Sequence, residues 1–189
     1  MRIISGKARG TKINTIESNT TRPTLDRVKE SLFNIIQNRI IDSNVLDLFA
    51  GSGALGLEAL SRGAKSAVFC DKNIEAYNII KANLEKTHLQ ELAIVYNMDY
   101  EKCLNRINKK FDLIFLDPPY KLDMAVNAVK PIEENDLLED KGLIIIETDE
   151  IQRDNDELNE LLKNKQELEI IETRKYGRAN LIFISKRGK

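Results

Sequence analysis

Apolar and polar positions along this chain change rhythm near residue 44. From there on, short apolar runs alternate with amphipathic stretches, the pattern of repeated β-α units around a mostly parallel sheet. The runs 45–50, 67–71, 93–97, 113–117 and 143–147 predict strands, and 54–62, 74–86, 100–108 and 124–134 between them predict helices. Asp42-Ser43-Asn44 and Arg62-Gly63-Ala64 are turns that bracket the first unit. A polar stretch over 154–165 sets Leu158, Leu161 and Leu162 at helical spacing and predicts a helix on one sheet face. Two final runs, 168–175 and 180–186, alternate as strands do. Tyr176-Gly177-Arg178 between them is short enough for a hairpin, so an antiparallel pair closes the sheet.

Ahead of residue 44 the pattern differs. Arg2-Ile3-Ile4 and Lys12-Ile13-Asn14 flank a turn rich in Gly, Lys and Arg, and 24–39 has helical periodicity through Leu25, Val28, Leu32, Phe33, Ile35 and Ile36. Arg22-Pro23-Thr24 fits a helix start with Thr24 as N-cap. The chain therefore divides into a basic extension, 1–43, and a sheet-forming body, 44–189.

Composition narrows the chemistry. The 189 residues suffice for one substantial core, and 42% hydrophobic with 31% charged residues is ordinary for a soluble α/β domain. No run approaches a membrane span and the N-terminus carries no apolar signal segment, so a cytoplasmic location is expected. Two cysteines, Cys70 and Cys103, are too few for a disulfide framework or a cysteine zinc site. The one histidine, His88, falls in a helix-to-strand connection without partners at metal-ligand spacing, which argues against a histidine-dependent hydrolase or a metalloenzyme. A net charge of -1 hides an uneven distribution. Residues 1–30 hold seven Lys/Arg against three Asp/Glu, and 174–189 hold six against none. Two basic ends on an acidic body point to a local polyanion-binding face. Lys7, Arg9 and Lys12, on a turn shared with Gly6 and Gly10, are placed to meet phosphates.

Two motifs carry chemistry. The first strand runs into Gly51-Ser52-Gly53-Ala54-Leu55-Gly56, a G-x-G-x-x-G that opens a helix, and Asp71 follows at the end of the next strand. The glycines allow close approach of a ligand while the acid accepts from ribose hydroxyls, a set that fits NAD and S-adenosylmethionine equally. Asp99, after the third strand, is an acceptor for an adenine amino group, with Met98 or Tyr100 against the ring. Asp47, Leu55, Lys72 and Asn73 flank these positions and join the cofactor group.

The second motif, Asp117-Pro118-Pro119-Tyr120, follows the apolar run 111–116. An exocyclic amine on a nucleobase is a poor nucleophile because its lone pair is delocalised into the ring. Acceptors at the Asp117 carboxylate and the Pro118 carbonyl would draw its nitrogen towards tetrahedral geometry and free that lone pair. Each proline fixes φ and removes an N–H, which makes the platform stiff, and Tyr120 supplies a flat face on which an extruded base stacks. Asp71, Asp99 and Asp117 thus end successive strands on one rim. A hydride-transfer enzyme would also need a proton donor near the nicotinamide, and none is evident.

With Asp47-Leu48-Phe49-Ala50-Gly51-Ser52-Gly53 and Asp117-Pro118-Pro119-Tyr120 in this order, the chain resembles the class I S-adenosylmethionine-dependent methyltransferases. Arg2-Ile3-Ile4-Ser5-Gly6, Arg22-Pro23-Thr24, Asp26-Arg27-Val28-Lys29-Glu30 and the segment 49–63 resemble, more narrowly, the bacterial enzymes that methylate guanine N2 in 16S ribosomal RNA. The resemblance implies a Rossmann-like α/β fold, a seven-stranded sheet with an antiparallel last strand. It implies that Gly51, Ser52, Gly53, Asp71 and Asp99 hold S-adenosylmethionine, and that Asp117 to Tyr120 hold the base. Arg22 and Arg27 take phosphate or cofactor-carboxylate contact, and with Arg2, Lys7, Arg9 and Lys12 form the expected RNA-binding set, with 16S rRNA in small-subunit particles as partner. Asp71 is shorter than the glutamate expected in many relatives, so its ribose contact is looser or runs through water. A DNA enzyme, a catalytically silent assembly factor and a dinucleotide oxidoreductase are the competing readings.

Overall fold

The computed structural model describes residues 1–16, 23–118, 123–149, 151–163, 167–177 and 179–188, with the side chains of 23–25, 123 and 151–154 left aside. Seven strands form one sheet: β1 (Asn44–Asp47), β2 (Ser66–Asp71), β3 (Ala93–Asn97), β4 (Phe111–Leu116), β5 (Leu138–Thr148), β6 (Leu168–Tyr176) and β7 (Ala179–Lys186). Their order is β3-β2-β1-β4-β5-β7-β6. β1 to β5 pair in parallel, and β7 runs antiparallel to both β5 and β6. The antiparallel pair that the alternating sequence predicts does close the sheet, and it is the second strand of that pair, β7, that inserts against the parallel body.

Among the described residues six α-helices cover the sheet: α1 (Pro23–Ile35), α2 (Ala54–Ser61), α3 (Ile74–Thr87), α4 (Tyr100–Arg106), α5 (Asp123–Glu134) and α6 (Ile151–Lys163). Alternation along the strands separates two cores. Val45, Leu113, Phe115 and Ile145 face α1, α2 and α3, where Val28, Phe33, Leu57, Leu60 and Ile80 pack. Leu46, Ile114, Leu116 and Ile146 face α4, α5 and α6, meeting Leu104, Val129 and Leu158. Strands covered on both faces have no polar side, which is why they read as unbroken apolar runs.

Several boundaries differ from the expected ones. β1 stops at Asp47 rather than Ala50, because Leu48 to Ala50 leave the ladder for the glycine loop, with Ala50 N–H still donating to the Cys70 carbonyl at 3.0 Å. α1 begins at Pro23, which puts Thr24 inside the first turn instead of at the cap, and it ends at Ile35, a 3₁₀ turn (Gln37–Arg39) following. Pro at the first helical position costs no hydrogen bond. β5 starts five residues early because Leu138 pairs with Phe111 across a register shift. His88 is the left-handed C-cap of α3, φ 57°, a backbone role.

Residues 1–16 are tied down on the α1–α3 side. Arg2 and Lys12 make an isolated antiparallel bridge, and Ile3, Ala8 and Ile13 enter the same core as β1. The tie is polar as well. Fully buried Glu58 on α2 accepts from Ile4 N–H at 2.8 Å, Ser5 N–H at 3.0 Å and Arg62 Nε at 2.8 Å, with Lys29 Nζ of α1 at 3.4 Å. Ser61 Oγ donates to the Ser5 carbonyl at 2.6 Å and accepts from Ala8 N–H at 3.0 Å. Gly6 lies so close to α2 that a Cβ on it would sit 1.8 Å from the Ser61 carbonyl oxygen.

Candidate active site

Strand order reverses direction at β1 and β4, and in open α/β sheets that point opens a crevice at the C-terminal strand ends. The glycine loop occupies one side of it. Gly53, the N-cap of α2, takes φ +79°, a left-handed conformation that disfavours other residues, and its N–H donates to the Ala50 carbonyl at 2.6 Å. A Cβ at Gly51 would meet nothing within 4 Å, so the loop faces open space there. Gly56, by contrast, packs against the sheet: a Cβ there would lie 2.3 Å from the Phe69 ring.

Two acids hold this loop. Asp71, half-buried at the end of β2, accepts from Gly51 N–H and from Asn73 N–H, both at 2.9 Å. A carboxylate has about four acceptor sites, so two remain for a ligand's hydroxyls. Asp47, grouped with the cofactor residues by sequence, is buried beneath the loop and accepts from Gly56 N–H at 3.0 Å. Its place is support from below. Burial pushes its carboxyl up to about 7, against the Gly56 hydrogen bond and with help from the charges of Asp117 and Asp71.

The remaining cofactor candidates line the same rim. Asn73 caps α3 by accepting from Glu75 N–H at 2.8 Å, and Asp99 caps α4 by accepting from Glu101 N–H at 3.0 Å. Met98 donates its N–H to the Asp71 carbonyl at 3.1 Å, which locks the β3 exit beside the β2 exit. Tyr100 and Phe49 pack with ring centroids 5.3 Å apart. Lys72 is exposed, and Ser52 and Leu55 are half-buried in the loop.

Asp117 follows β4 directly, and Pro118 is buried after it; Pro119 and Tyr120 lie outside the described residues. Although Asp117 keeps solvent contact across the open rim, dense protein around its carboxyl raises it to about 6. A fourth rim acid escaped the sequence reading. Leu116 pairs with Ile146 in the parallel β4–β5 ladder, so Glu147 stands beside Asp117 one strand over. Half-buried Glu147 is pushed up to about 8 by burial and by the Asp117 charge. Its signal was present: it ends an apolar run, as Asp71 and Asp117 do.

Asn83 was also missed. Buried on α3, it accepts from Asn14 N–H at 2.7 Å and donates to the Asn14 and Ser52 carbonyls, both at 2.9 Å. One side chain thereby joins the N-terminal segment to the glycine loop. An asparagine on an amphipathic helix carries no local mark of such a contact.

Among the basic candidates, Arg2, Arg9 and Arg27 come together around an open cleft of about 370 Å³ with Asp26 and Glu30. Lys7 and Lys12 are exposed on the same N-terminal turn, and Arg22 lies outside the described residues. Among the described residues, no group of three or more His, Cys, Asp and Glu is arranged to hold a metal ion. No helix there is long and apolar enough to cross a membrane.

Sheet order, glycine loop and the rim of acids define the fold of the class I methyltransferases. The chain belongs to the family described as Conserved hypothetical protein 95, which it matches over residues 1–185. It is 38% identical over 191 residues to "Putative rRNA methyltransferase YlbH" of Bacillus subtilis, covering 100% of both chains. It is 36% identical over 149 residues to "Ribosomal RNA small subunit methyltransferase D" of Escherichia coli K12, covering 79% of this chain and 75% of that one. Among solved structures, "Putative methyltransferase yhhF" from Escherichia coli superposes with a TM-score of 0.81 at 28% identity, covering 100% of this chain and 99% of the other.

Proposed function

We propose that this protein transfers a methyl group from S-adenosylmethionine to the N2 amine of a guanine in small-subunit ribosomal RNA. The observation that carries the reading is the place of Asp117, an acceptor directly after β4 at the strand ends where the Gly51 loop also lies. The names of the relatives supply the RNA, and the resemblance of the first thirty residues supplies the base.

The donor group fits the residues present. Gly51 leaves open space, and Asp71 and Asp99 retain acceptor sites for ribose hydroxyls and an adenine amine. When bound, S-adenosylmethionine supplies a sulfonium methyl whose C–S electron pair departs with a neutral thioether. The chain's own task is then to aim and activate the amine. Asp117 accepts one N2–H and the Pro118 carbonyl the other, which localises the lone pair on nitrogen as the N–C bond forms. The proton lost after alkylation passes to Asp117 and on to water. Tyr120 supplies the stacking face for a base drawn out of its helix. Arg2, Arg9, Arg27 and Arg22, with Lys7 and Lys12, take RNA phosphates, so that residues 1–43 serve as the RNA-binding part and 44–189 as the catalytic part.

Labelled methyl transfer to small subunits that lack the modification, followed by nucleoside analysis, tests the reading. N2-methylguanosine is the expected product, and N6-methyladenosine would overturn the base. Asp117→Ala is expected to lower kcat by about 10²–10³ with S-adenosylhomocysteine binding intact. Normal turnover in that variant would remove Asp117 from the chemistry.

A further inference from the structure

Two carboxyls, not one, stand where the base would enter. β4 and β5 are parallel and in register at Phe115↔Ile145 and Leu116↔Ile146, so the residues that follow, Asp117 and Glu147, are the next pair at the same strand end, about 4.8 Å apart along the ladder. Phe115 and Ile145 share the α1–α3 core, and alternation returns Glu147 to that same face, the one on which Asp47 lies under the glycine loop. Glu147 is half-buried, its backbone pairs with Leu181 of β7, and among the described residues its carboxyl has no hydrogen-bond or ion-pair partner.

A carboxyl held in such a place without a donor costs stability, more so beside a second acid. Burial and the Asp117 charge both resist its ionisation. The pair is therefore poised for a ligand that presents two adjacent N–H donors. Among the four RNA bases only guanine does so, through ring N1–H next to the N2 amine. Adenine has a ring-nitrogen acceptor beside its amine, cytosine likewise, and uracil has no exocyclic amine.

We propose, resting on the guanine-N2 reading above, that Glu147 is a specificity-determining residue that accepts the N1–H of the target guanine while Asp117 takes its N2 amine. A neutral carboxyl accepts through its carbonyl oxygen, and the incoming donor favours the charged form. In that charged form the carboxylate has no O–H to offer, so an adenine ring nitrogen at that point would face only acceptors.

Small subunits reconstituted with rRNA carrying either guanine or 2-aminopurine at the methylated position provide the test, because 2-aminopurine keeps the N2 amine and loses N1–H. Wild type is expected to prefer guanine by about 10–100-fold in kcat/KM. Glu147→Gln should narrow that ratio by about tenfold or more, since its amide donates to the bare ring nitrogen and still accepts from guanine. Glu147→Ala should lower the rate on guanine and leave that on 2-aminopurine nearly unchanged. A merely structural role for Glu147 would lower both rates together, and equal wild-type rates on the two bases, or an unchanged ratio in both variants, would overturn the proposal. A rise in Tm with S-adenosylhomocysteine shows that each variant is folded. Absence of N2-methylguanosine from wild type on the guanine substrate would overturn the parent reading, and this proposal with it.

Discussion

At the scale of single residues, the strand-end acids set a pH dependence opposite to that of most carboxylates. A surface acid paired with a cation is held low and destabilises only on acidification, as Asp136 does between Lys110 and Lys186. Asp47, Asp117 and Glu147 are instead raised, to about 7, 6 and 8. A carboxyl raised on folding contributes stability that is complete below its unfolded value, near 4, and is lost as pH rises through the folded value. The protein without ligand should therefore lose stability between about pH 4 and 8, where Asp136 contributes no change. Asp47 is fully buried, and a shift of its size corresponds to roughly 4 kcal/mol. Urea midpoints across that range should fall in wild type and flatten in Asp47→Asn, whose amide oxygen still accepts from Gly56 N–H. An equally steep fall in the variant would place the dependence elsewhere.

At the scale of elements, α2 does two jobs at opposite faces. Its first turn carries the glycine loop, and its second binds the N-terminal segment through Glu58 and Ser61, with Arg62 just beyond the helix donating to Glu58. Glu58 serves four donors from a fully buried position, one of them Lys29, itself 4% exposed. Removing one partner of a buried ion pair strands the other, at a cost of about 3–5 kcal/mol. Glu58→Ala should thus destabilise by that amount in urea titrations. Adding Lys29→Met should recover part of it, because the stranded cation is gone. A double variant as unstable as the sum of the singles would show that the two residues act independently. Helix α2 was legible from its apolar spacing; Glu58 was not. A glutamate one turn from a helix end reads as solvent-facing until residues 4 and 5 are laid over it.

At the scale of the whole molecule, the N-terminal segment is tied twice to the elements that border the crevice, to α2 through Glu58 and to the glycine loop through Asn83 between Asn14 and Ser52. The Arg2, Arg9 and Arg27 cleft, proposed to take RNA, is thus mechanically continuous with the loop proposed to hold the methyl donor. If those arginines meet phosphates, affinity must depend steeply on salt, each contact contributing about one counterion. Arg9→Ala and Arg27→Ala should each reduce the slope of log K against log salt by about 1, measured by RNA binding between 50 and 200 mM salt as worked concentrations. An unchanged slope would take that arginine out of phosphate contact.

The division between what was readable and what was not follows the range of the interactions. The chain alone determined the alternation of strands and helices, the closing hairpin, the Gly51 loop with Asp71, and the acid ending β4, because each rests on periodicity or on residues a few positions apart. Strand order, the shared core of residues 1–16 with β1, the buried post of Asp47, the bridge at Asn83 and the pairing of Glu147 with Asp117 were decided by tertiary structure. Those depend on which strands become neighbours, and a parallel sheet brings together residues separated by a whole β-α unit, where local pattern carries no record of the partner.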